Sequence, residues 1–356
     1  MITTSPHSLL TIVIPYSERA QNGDNLRLEK LLEHLLNNLN CEIMVYCNGD
    51  LKQHRKTWRE SRGDISWIDS PLSKIFSPGQ IRNRATEYSS NRYIFFVDVD
   101  LYMAEQNWGL LLQRLKNLES LGLTAFEMYP CLYLTKEETE RFDGDFQGCL
   151  ESFLRGENHR VEGIALASSC LLLNREWFLQ LGGFDERFVG HGGEDLELID
   201  RLCQHYPIGP RPADYGLNIK AQHPGDYQGF RRYFSYYALP HLFAGRFLVH
   251  QWHPRPLTHP YHKRRAGNDA LLEQMLANPG PLKGPVIPCN DLNGELPDFR
   301  EWMIRLQEEA GYPVSEYPGL LRWKDGVTVK RPLWRKMRKL YLNPKAFFKD
   351  MVKSKS

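Results

Sequence analysis

Two carboxylates close an apolar run in the stretch FFVDVDLYM, residues 95–103. Tyr93, Ile94, Phe95, Phe96 and Val97 call for burial, yet Asp98 and Asp100 follow at once. Carboxylates at the edge of a core are expected to be paired or to hold a metal ion. Side chains repeat every second residue along an extended segment, so Asp98 and Asp100 are expected on one side of it. Hard oxygen ligands of that kind suit a divalent cation. The plainer reading is a pair of acids capping a strand-end turn. Far downstream, Gly192-Gly193-Glu194-Asp195 presents two more acids behind two glycines. A carboxylate there can act as a general base, or can simply complement a helix N-terminus. Val249-His250-Gln251-Trp252-His253-Pro254 offers two imidazoles, which suit manganese and similar ions. The alternative for either is a surface histidine packed on Trp252.

The elements that must position these groups alternate. Residues 9–15 read as a buried strand stopped by proline, and Leu28, Leu31, Leu32, Leu35, Leu36 and Leu39 then recur at helical spacing. Residues 42–47 make a second strand ending in an Asn48-Gly49-Asp50 turn, and 65–68 a third. Ser77-Pro78-Gly79-Gln80 opens a helix, with Ser77 as its cap, Pro78 in first position and Gln80 three after the cap. Ile81, Ala85 and Tyr88 form its expected buried stripe. Residues 93–97 are the next strand, so the pattern is that of a parallel α/β sheet, in which ligands sit at the carboxyl ends of the strands. Further strands are expected near 125–128 and 165–173, and further helices around Trp108 to Leu118, Leu196 to Cys203 and Phe299 to Leu306. The polar segment 135–162 reads as a mobile loop, and Pro and Gly cluster as a linker over 279–288.

Four pieces now stand in order: Ile14-Pro15-Tyr16-Ser17-Glu18-Arg19, Phe76-Ser77-Pro78-Gly79-Gln80-Ile81-Arg82-Asn83-Arg84, Asp98-Val99-Asp100-Leu101, and Gly182-Gly183-Phe184-Asp185 followed by Gly192-Gly193-Glu194-Asp195. Over roughly residues 8–255 this set resembles the GT-A glycosyltransferases, in the branch of β-1,4-galactosyltransferases and bacterial chondroitin polymerases. The resemblance implies a mostly parallel Rossmann-like sheet flanked by helices. It also implies transfer of a hexose or N-acetylhexosamine from a UDP-sugar to a glycan, with Mn2+ or Mg2+ neutralising the diphosphate leaving group. It assigns metal binding to Asp100, with Asp98 on the metal or the ribose, and a further ligand to His250 or His253. Asp195 becomes the base of an inverting transfer, since retaining relatives carry Asn there. Glu194 would hydrogen-bond sugar hydroxyls, and Gly192 and Gly193 would let the backbone approach them closely. Pro15, Tyr16, Glu18, Arg19, Asn48 and Arg82 would line the donor, Arg82 meeting the diphosphate unless it lies on a solvated helix face. Two positions depart from the family pattern: His191 stands where an aromatic residue often precedes GGED, and Cys47-Asn48-Gly49-Asp50 replaces an aspartate that often reads uracil.

Of 356 residues, 42% are hydrophobic and 25% charged, an ordinary globular composition. The seven scattered cysteines form no CxxC pair, so neither a zinc site nor a disulfide framework is expected. No signal peptide and no spanning run is expected. The +2 net charge hides an asymmetry: 322–356 holds twelve Lys and Arg against two Asp, a net +10, leaving 33 basic and 41 acidic residues, a net −8. Leu333, Trp334, Met337, Leu340 and Tyr341 recur at helical spacing among basic residues, followed by Phe347 and Phe348. Such a tail reads as a binder of membrane surfaces, or else packs on the acidic body. Basic charge confined to the tail speaks against nucleic acid. The expected organisation is a transferase domain over 1–265, a linker and helical extension over 266–330, and the tail over 331–356. The place expected for it is the cytoplasmic face of the cell membrane, building a capsule or lipopolysaccharide on a glycan acceptor, lipid-linked or free. The rival readings are a degenerate scaffold of a polysaccharide-assembly complex and a sugar-nucleotide pyrophosphorylase. The latter's glycine-rich phosphate loop is absent from residues 15–19.

Overall fold

The computed structural model describes residues 9–17, 24–49, 65–70, 75–255, 259–287, 295–321, 323–324, 327–328, 333–345 and 347–348. Glu18, Arg19 and Asp50 lie outside the described residues.

Strand β1 (Leu10–Ser17) precedes α1 (Asp24–Asn38), β2 (Glu42–Asn48), β3 (Ile65–Ser70), α2 (Pro78–Tyr88) and β4 (Tyr93–Phe96). These apolar strands form the middle of a sheet because both their faces are covered: Ile12, Val13 and Ile14 of β1 are fully buried, as are Ile94, Phe95 and Phe96 of β4. After β5 (Leu101–Met103) come α3 (Glu105–Leu121), β6 (Phe126–Met128), β7 (Cys131–Leu134), α4 (Lys136–Arg141), α5 (Phe146–Leu154), β8 (Val161–Ala165), β9 (Leu171–Asn174) and α6 (Arg175–Gln180). The main sheet runs β3-β2-β1-β4-β9-β6. Its first four strands are parallel, and β9 is antiparallel to both of its neighbours. The chain moves outward from β1 to β3 and then returns to β4 on the other side of β1. That reversal opens a crevice at the carboxyl ends of β1 and β4.

The second half of the chain closes over that end. It comprises α7 (Glu194–His205), β10 (Asn218–Ile219), β11 (Gln228–Gly229), α8 (Phe230–Phe243), β12 (Leu248–His250), α9 (Pro260–Lys263), α10 (Arg265–Leu276), α11 (Phe299–Glu309) and α12 (Leu333–Leu342). A smaller sheet, β5-β12-β7-β8, sits beside the main one. Residues 266–287 and 295–321 pack into the same core: Leu272, Met303 and Leu320 are fully buried, and Trp302 lies against Tyr236 of α8 with tilted rings whose centroids are 4.8 Å apart.

Three local expectations differ from the structure. Segment 135–162 is not a loop. Thr135 caps α4 by accepting from the Glu138 amide, Asp145 caps α5 by accepting from that of Gly148, and Arg160 joins the two. Its guanidinium meets Glu138 at 2.6 Å and Asp145 at 2.7 Å. The polar residues that resembled a loop are caps and an ion network built around one buried carboxylate, Glu138, which is 1% exposed. Tyr88 does not share the buried stripe of Ile81 and Ala85; it lies exposed against Tyr46. Ser77 precedes α2 as expected, but its hydroxyl donates to the Phe188 carbonyl (3.1 Å) instead of serving the helix.

Candidate active site and metal-binding cluster

The DVD segment leaves β4 through a turn. The Val97 amide still donates to Val13 of β1, but the Leu101 amide donates back to Asp98 across three residues. Asp98 and Asp100 therefore do not project to one side, as an extended strand would make them. They serve different partners.

Asp100 faces two histidines. Its Oδ2 lies 3.2 Å from His250 Nε2 and 3.1 Å from His253 Nε2. Local register produces this: β12 pairs antiparallel with β5, His250 opposite Leu101, and the Gln251 amide donates to the Asp100 carbonyl. The Trp252 amide donates to Thr139 Oγ1, which turns the chain so that His253 comes back over His250, with ring centroids 5.3 Å apart. Burial works against a charged Asp100, but the two imidazoles, His250 foremost, more than offset it and hold the carboxyl well below its ordinary value. Burial pulls the His250 imidazole down and, with the Arg255 guanidinium adding to it, outweighs the upward pull of the Asp100 charge. At neutral pH the pair is thus an ionised carboxylate beside a neutral imidazole, the protonation state a metal ion requires of such ligands.

These three donors fit a divalent cation. One ligand atom from each of Asp100, His250 and His253 can be chosen so that all lie within 4.8 Å of one another. Two donors at right angles on an ion with bonds of about 2.1 Å are about 3 Å apart, close to the two Asp100 separations. Two imidazoles and one carboxylate favour a manganese-like ion over calcium. Asp98 stands apart from this cluster. The nearest hydrogen-bonding group to His250 otherwise is Arg255, whose Nη2 lies 2.7 Å from His250 Nε2 and whose guanidinium covers Tyr133. Sequence reasoning gave Arg255 no role, although it directly follows the quoted histidine run.

Asp98 instead pairs with Arg82 at 2.5 Å. Arg82 is not on a solvated helix face. It is 2% exposed, lies over the Phe184 ring, and its Nη1 is 4.0 Å from Glu194 Oε1. One buried guanidinium thus links the DVD turn to the GGED turn. Among the described residues, Arg82 Nε and Nη1 and Glu194 Oε2 are buried without a hydrogen-bond partner. Burial, and then the charge of Asp195, push the Glu194 carboxyl up to about 7, with Arg82 opposing. A buried carboxyl near neutrality with an unoccupied oxygen can donate to or accept from a sugar hydroxyl.

The glycines of the two motifs make room mainly for protein. In GGFD, Asn83 of α2 exchanges two hydrogen bonds with the Phe184 backbone, 2.7 and 2.8 Å, and its Oδ1 would be 2.3 Å from a Cβ at Gly183. In GGED, Gly192 (φ +88°) yields to Arg265 Nη1 and Gly193 (φ +103°) to the Phe188 ring, at 2.3 and 2.6 Å from where a Cβ would stand. Asp195, in the first turn of α7, accepts from the Leu196 amide and is half-buried. His191 packs on Tyr261 and His262 and lies 3.5 Å from Arg265.

Of the donor-side expectations, Pro15 and Tyr16 lie at the carboxyl end of β1, opposite Tyr46 and Cys47 of β2. Tyr16 and Asn48 are buried, at 1% and 3% exposure. They stand on the same sheet edge as Asp98.

A family model described as "Glycosyltransferase like family 2" matches residues 11–278, more than half of the chain. A stretch of 131 residues is 29% identical to "Putative polypeptide N-acetylgalactosaminyltransferase 13" of Drosophila melanogaster, covering 34% of this chain and 24% of that protein. The chain thus spans well under half of that relative's length. Among solved structures, S. aureus TarS superposes with a TM-score of 0.35 and 13% identity, over 53% of this chain and 32% of that one.

Proposed function

The chain belongs to the family 2-like glycosyltransferases and has their GT-A fold, and on that premise we propose an inverting, cation-dependent transfer. A hexose or N-acetylhexosamine passes from a UDP-sugar to a glycan acceptor. The observation that carries the reading is the continuous constellation at the carboxyl end of β4. The Asp100, His250 and His253 cluster stands on one side of the DVD turn, and Asp98 and Arg82 lead to Glu194 and Asp195 on the other.

Asp100, His250 and His253 would hold Mn2+ or Mg2+, which supplies charge neutralisation for the diphosphate leaving group. Asp98 fixes Arg82, and Arg82 keeps positive charge beneath the crevice. Glu194 orients a sugar hydroxyl through its unpartnered oxygen. Asp195 takes the proton from the acceptor hydroxyl as that oxygen bonds to the anomeric carbon, and the sugar–phosphate bond breaks with its electrons leaving on UDP. An Asp rather than an Asn at 195 supports inversion.

The acceptor we favour is a bacterial surface glycan, in a capsule or lipopolysaccharide, made at the inner face of the membrane. None of the helices among the described residues is long and apolar enough to cross a membrane. Leu333, Met337 and Tyr341 of α12 are exposed, at 74%, 62% and 65%, within a strongly basic sequence, which supports peripheral contact over packing on the acidic body.

The test is UDP release from a panel of UDP-sugars with manganese, with and without chelator, with the product linkage read by NMR. Cation-dependent release and an inverted anomeric centre support the reading. Full activity in excess chelator sinks the cation site, and a retained anomer sinks inversion. Intact donor binding with no transfer to any glycan would favour a catalytically degenerate scaffold.

A further inference from the structure

We propose that Arg231, with Arg265 beside it, seats an anionic group, carboxylate or phosphate, carried by the acceptor glycan. The inference rests on Asp195 being the base that faces the acceptor.

Arg231 sits in the first turn of α8, where its Nε donates to Asn218 Oδ1 at 2.6 Å and its guanidinium lies 5.5 Å from the centre of the Phe230 ring. Pairing of β10 with β11 sets Asn218 opposite Gly229, the residue that caps α8, so the anchor of the arginine is fixed by backbone. Among the described residues, the two Nη groups of Arg231 have no hydrogen-bond partner, and no carboxylate comes within ion-pair distance of it. Its neighbours are treated differently. Arg232 pairs with Asp214 at 2.7 Å and Arg265 with Asp269 at 2.9 Å.

The placement of Arg231 is electrostatically adverse in the free protein. A cation at a helix N-terminus faces the positive end of the macrodipole, and the first turn of α8 carries no acid. Burial first, and then the Arg265 charge, pull the Arg231 guanidinium down from its ordinary pKa, with Asp269 and Asp195 only partly compensating. Asp269 already serves Arg265 and Asn343. Arg265 in turn fills the space left by the missing side chain of Gly192 and feels the charges of Asp195 and Glu194. A guanidinium fork therefore stands beside the GGED turn with no carboxylate paired to it among the described residues. A fork of this shape matches a carboxylate or phosphate with two parallel hydrogen bonds.

The missing anion belongs on the acceptor side. The donor-side cation Arg82 is already matched by Asp98 and Glu194. The charged groups that act on Arg231 are Arg265, Asp269 and Asp195, with neither Asp98 nor Asp100 among the principal ones. A uronic acid or a phosphorylated sugar at the growing end supplies such a group.

The experiment uses the full chain without donor, and compares wild type, Arg231→Gln and Arg231→Lys. Calorimetric titration and thermal shift are run with three probes: a glucuronate-terminated disaccharide, its neutral glucose counterpart and a hexose 6-phosphate. Wild type should bind one anionic probe at least about tenfold more tightly than the neutral one. Whichever of the two anionic probes binds identifies the source of the anion. The preference should vanish in Arg231→Gln, survive in part in Arg231→Lys, and leave the affinity for UDP with manganese unchanged. Unliganded Arg231→Gln should melt no lower than wild type, because an uncompensated charge is gone; a merely structural arginine would give the opposite. Equal binding of neutral and anionic probes by wild type overturns the proposal. So does weakened UDP binding in Arg231→Gln, which would assign the arginine to the donor. If Arg231→Gln fails to fold, the wild-type preference and the Lys variant decide. UDP release that proceeds without any anion preference refutes this inference alone, whereas an anion preference with no sugar transfer refutes the reaction and leaves the seat standing.

Discussion

Replacing Glu194 by Gln should make the protein more stable at alkaline pH and leave it nearly unchanged at acid pH. Glu194 is 7% exposed, and its carboxyl is pushed from 4.5 to about 7 by burial and then by Asp195, against the pull of Arg82 and the more distant Arg265. Because its folded-state pKa is raised, the folded protein keeps a proton that the unfolded chain gives up between these two values. The stabilisation is present below 4.5 and is lost as pH rises toward 7. The window spans roughly 2.5 pH units, on the order of 3 kcal/mol. With an unfolding entropy of about 2.1 cal/mol/K per residue over the chain, that corresponds to ~4 °C in Tm. The assay is thermal melting of both proteins at about pH 4.5 and pH 8.5, which brackets the window. Any change in shape caused by glutamine enters at both pH values, so the difference between the two comparisons isolates the charge. Arg82 is kept in both proteins, and its bond to Asp98 is untouched. The Gln variant should gain about 4 °C relative to wild type on going from acid to alkaline buffer. If the Tm difference is the same at both pH values, Glu194 is not held protonated by burial, and the account of its role with sugar hydroxyls falls with it.

Asp195→Asn should lower turnover on the order of 100-fold or more while sparing donor affinity, because the shape stays and the base is lost; unchanged turnover in a steady-state assay would point to another base. Asp100→Ala should abolish manganese binding followed by electron paramagnetic resonance, and binding at the wild-type level would remove Asp100 from the cation site. Gly193→Ala should destabilise by several kcal/mol, since it forces a side chain to φ +103° and into the Phe188 ring; a melt within a degree of wild type would contradict that. Deleting 331–356 should release the protein from anionic vesicles at moderate salt without slowing transfer to a small acceptor. Sedimentation equal to that of the full chain would show that the tail is not the anchor.

What the sequence settled was local. Buried strands such as Ile12-Val13-Ile14 and Phe95-Phe96 are legible because continuous apolar runs have one stable place, between two covered faces. The helix after Ser77 is legible because a serine in the cap position followed by proline, whose fixed φ suits the first helical position, marks its opening. The chemistry-bearing residues are legible as types, since an acid after such a run, or a glycine pair before two acids, has few ordinary uses. What the sequence could not show is which of those groups meet. Period-two reasoning put Asp98 and Asp100 on one side, but a single backbone hydrogen bond from Leu101 to Asp98 turns the segment and sends one carboxylate to Arg82 and the other to two histidines about 150 residues away. Arg82 could be read as a diphosphate contact or as a solvated helical arginine, and only the cover of Phe184 and the GGED turn removes the second. Segment 135–162 looked like a loop because caps and buried ion pairs use the same polar residues as loops do. Arg231 gave no sequence signal, because an arginine without a partner is defined only by what the rest of the fold leaves beside it. Local pattern follows from steric and hydrophobic preferences that each residue carries with it. Partnership, burial and unpaired charge are properties of distances, and those exist only once the chain has closed.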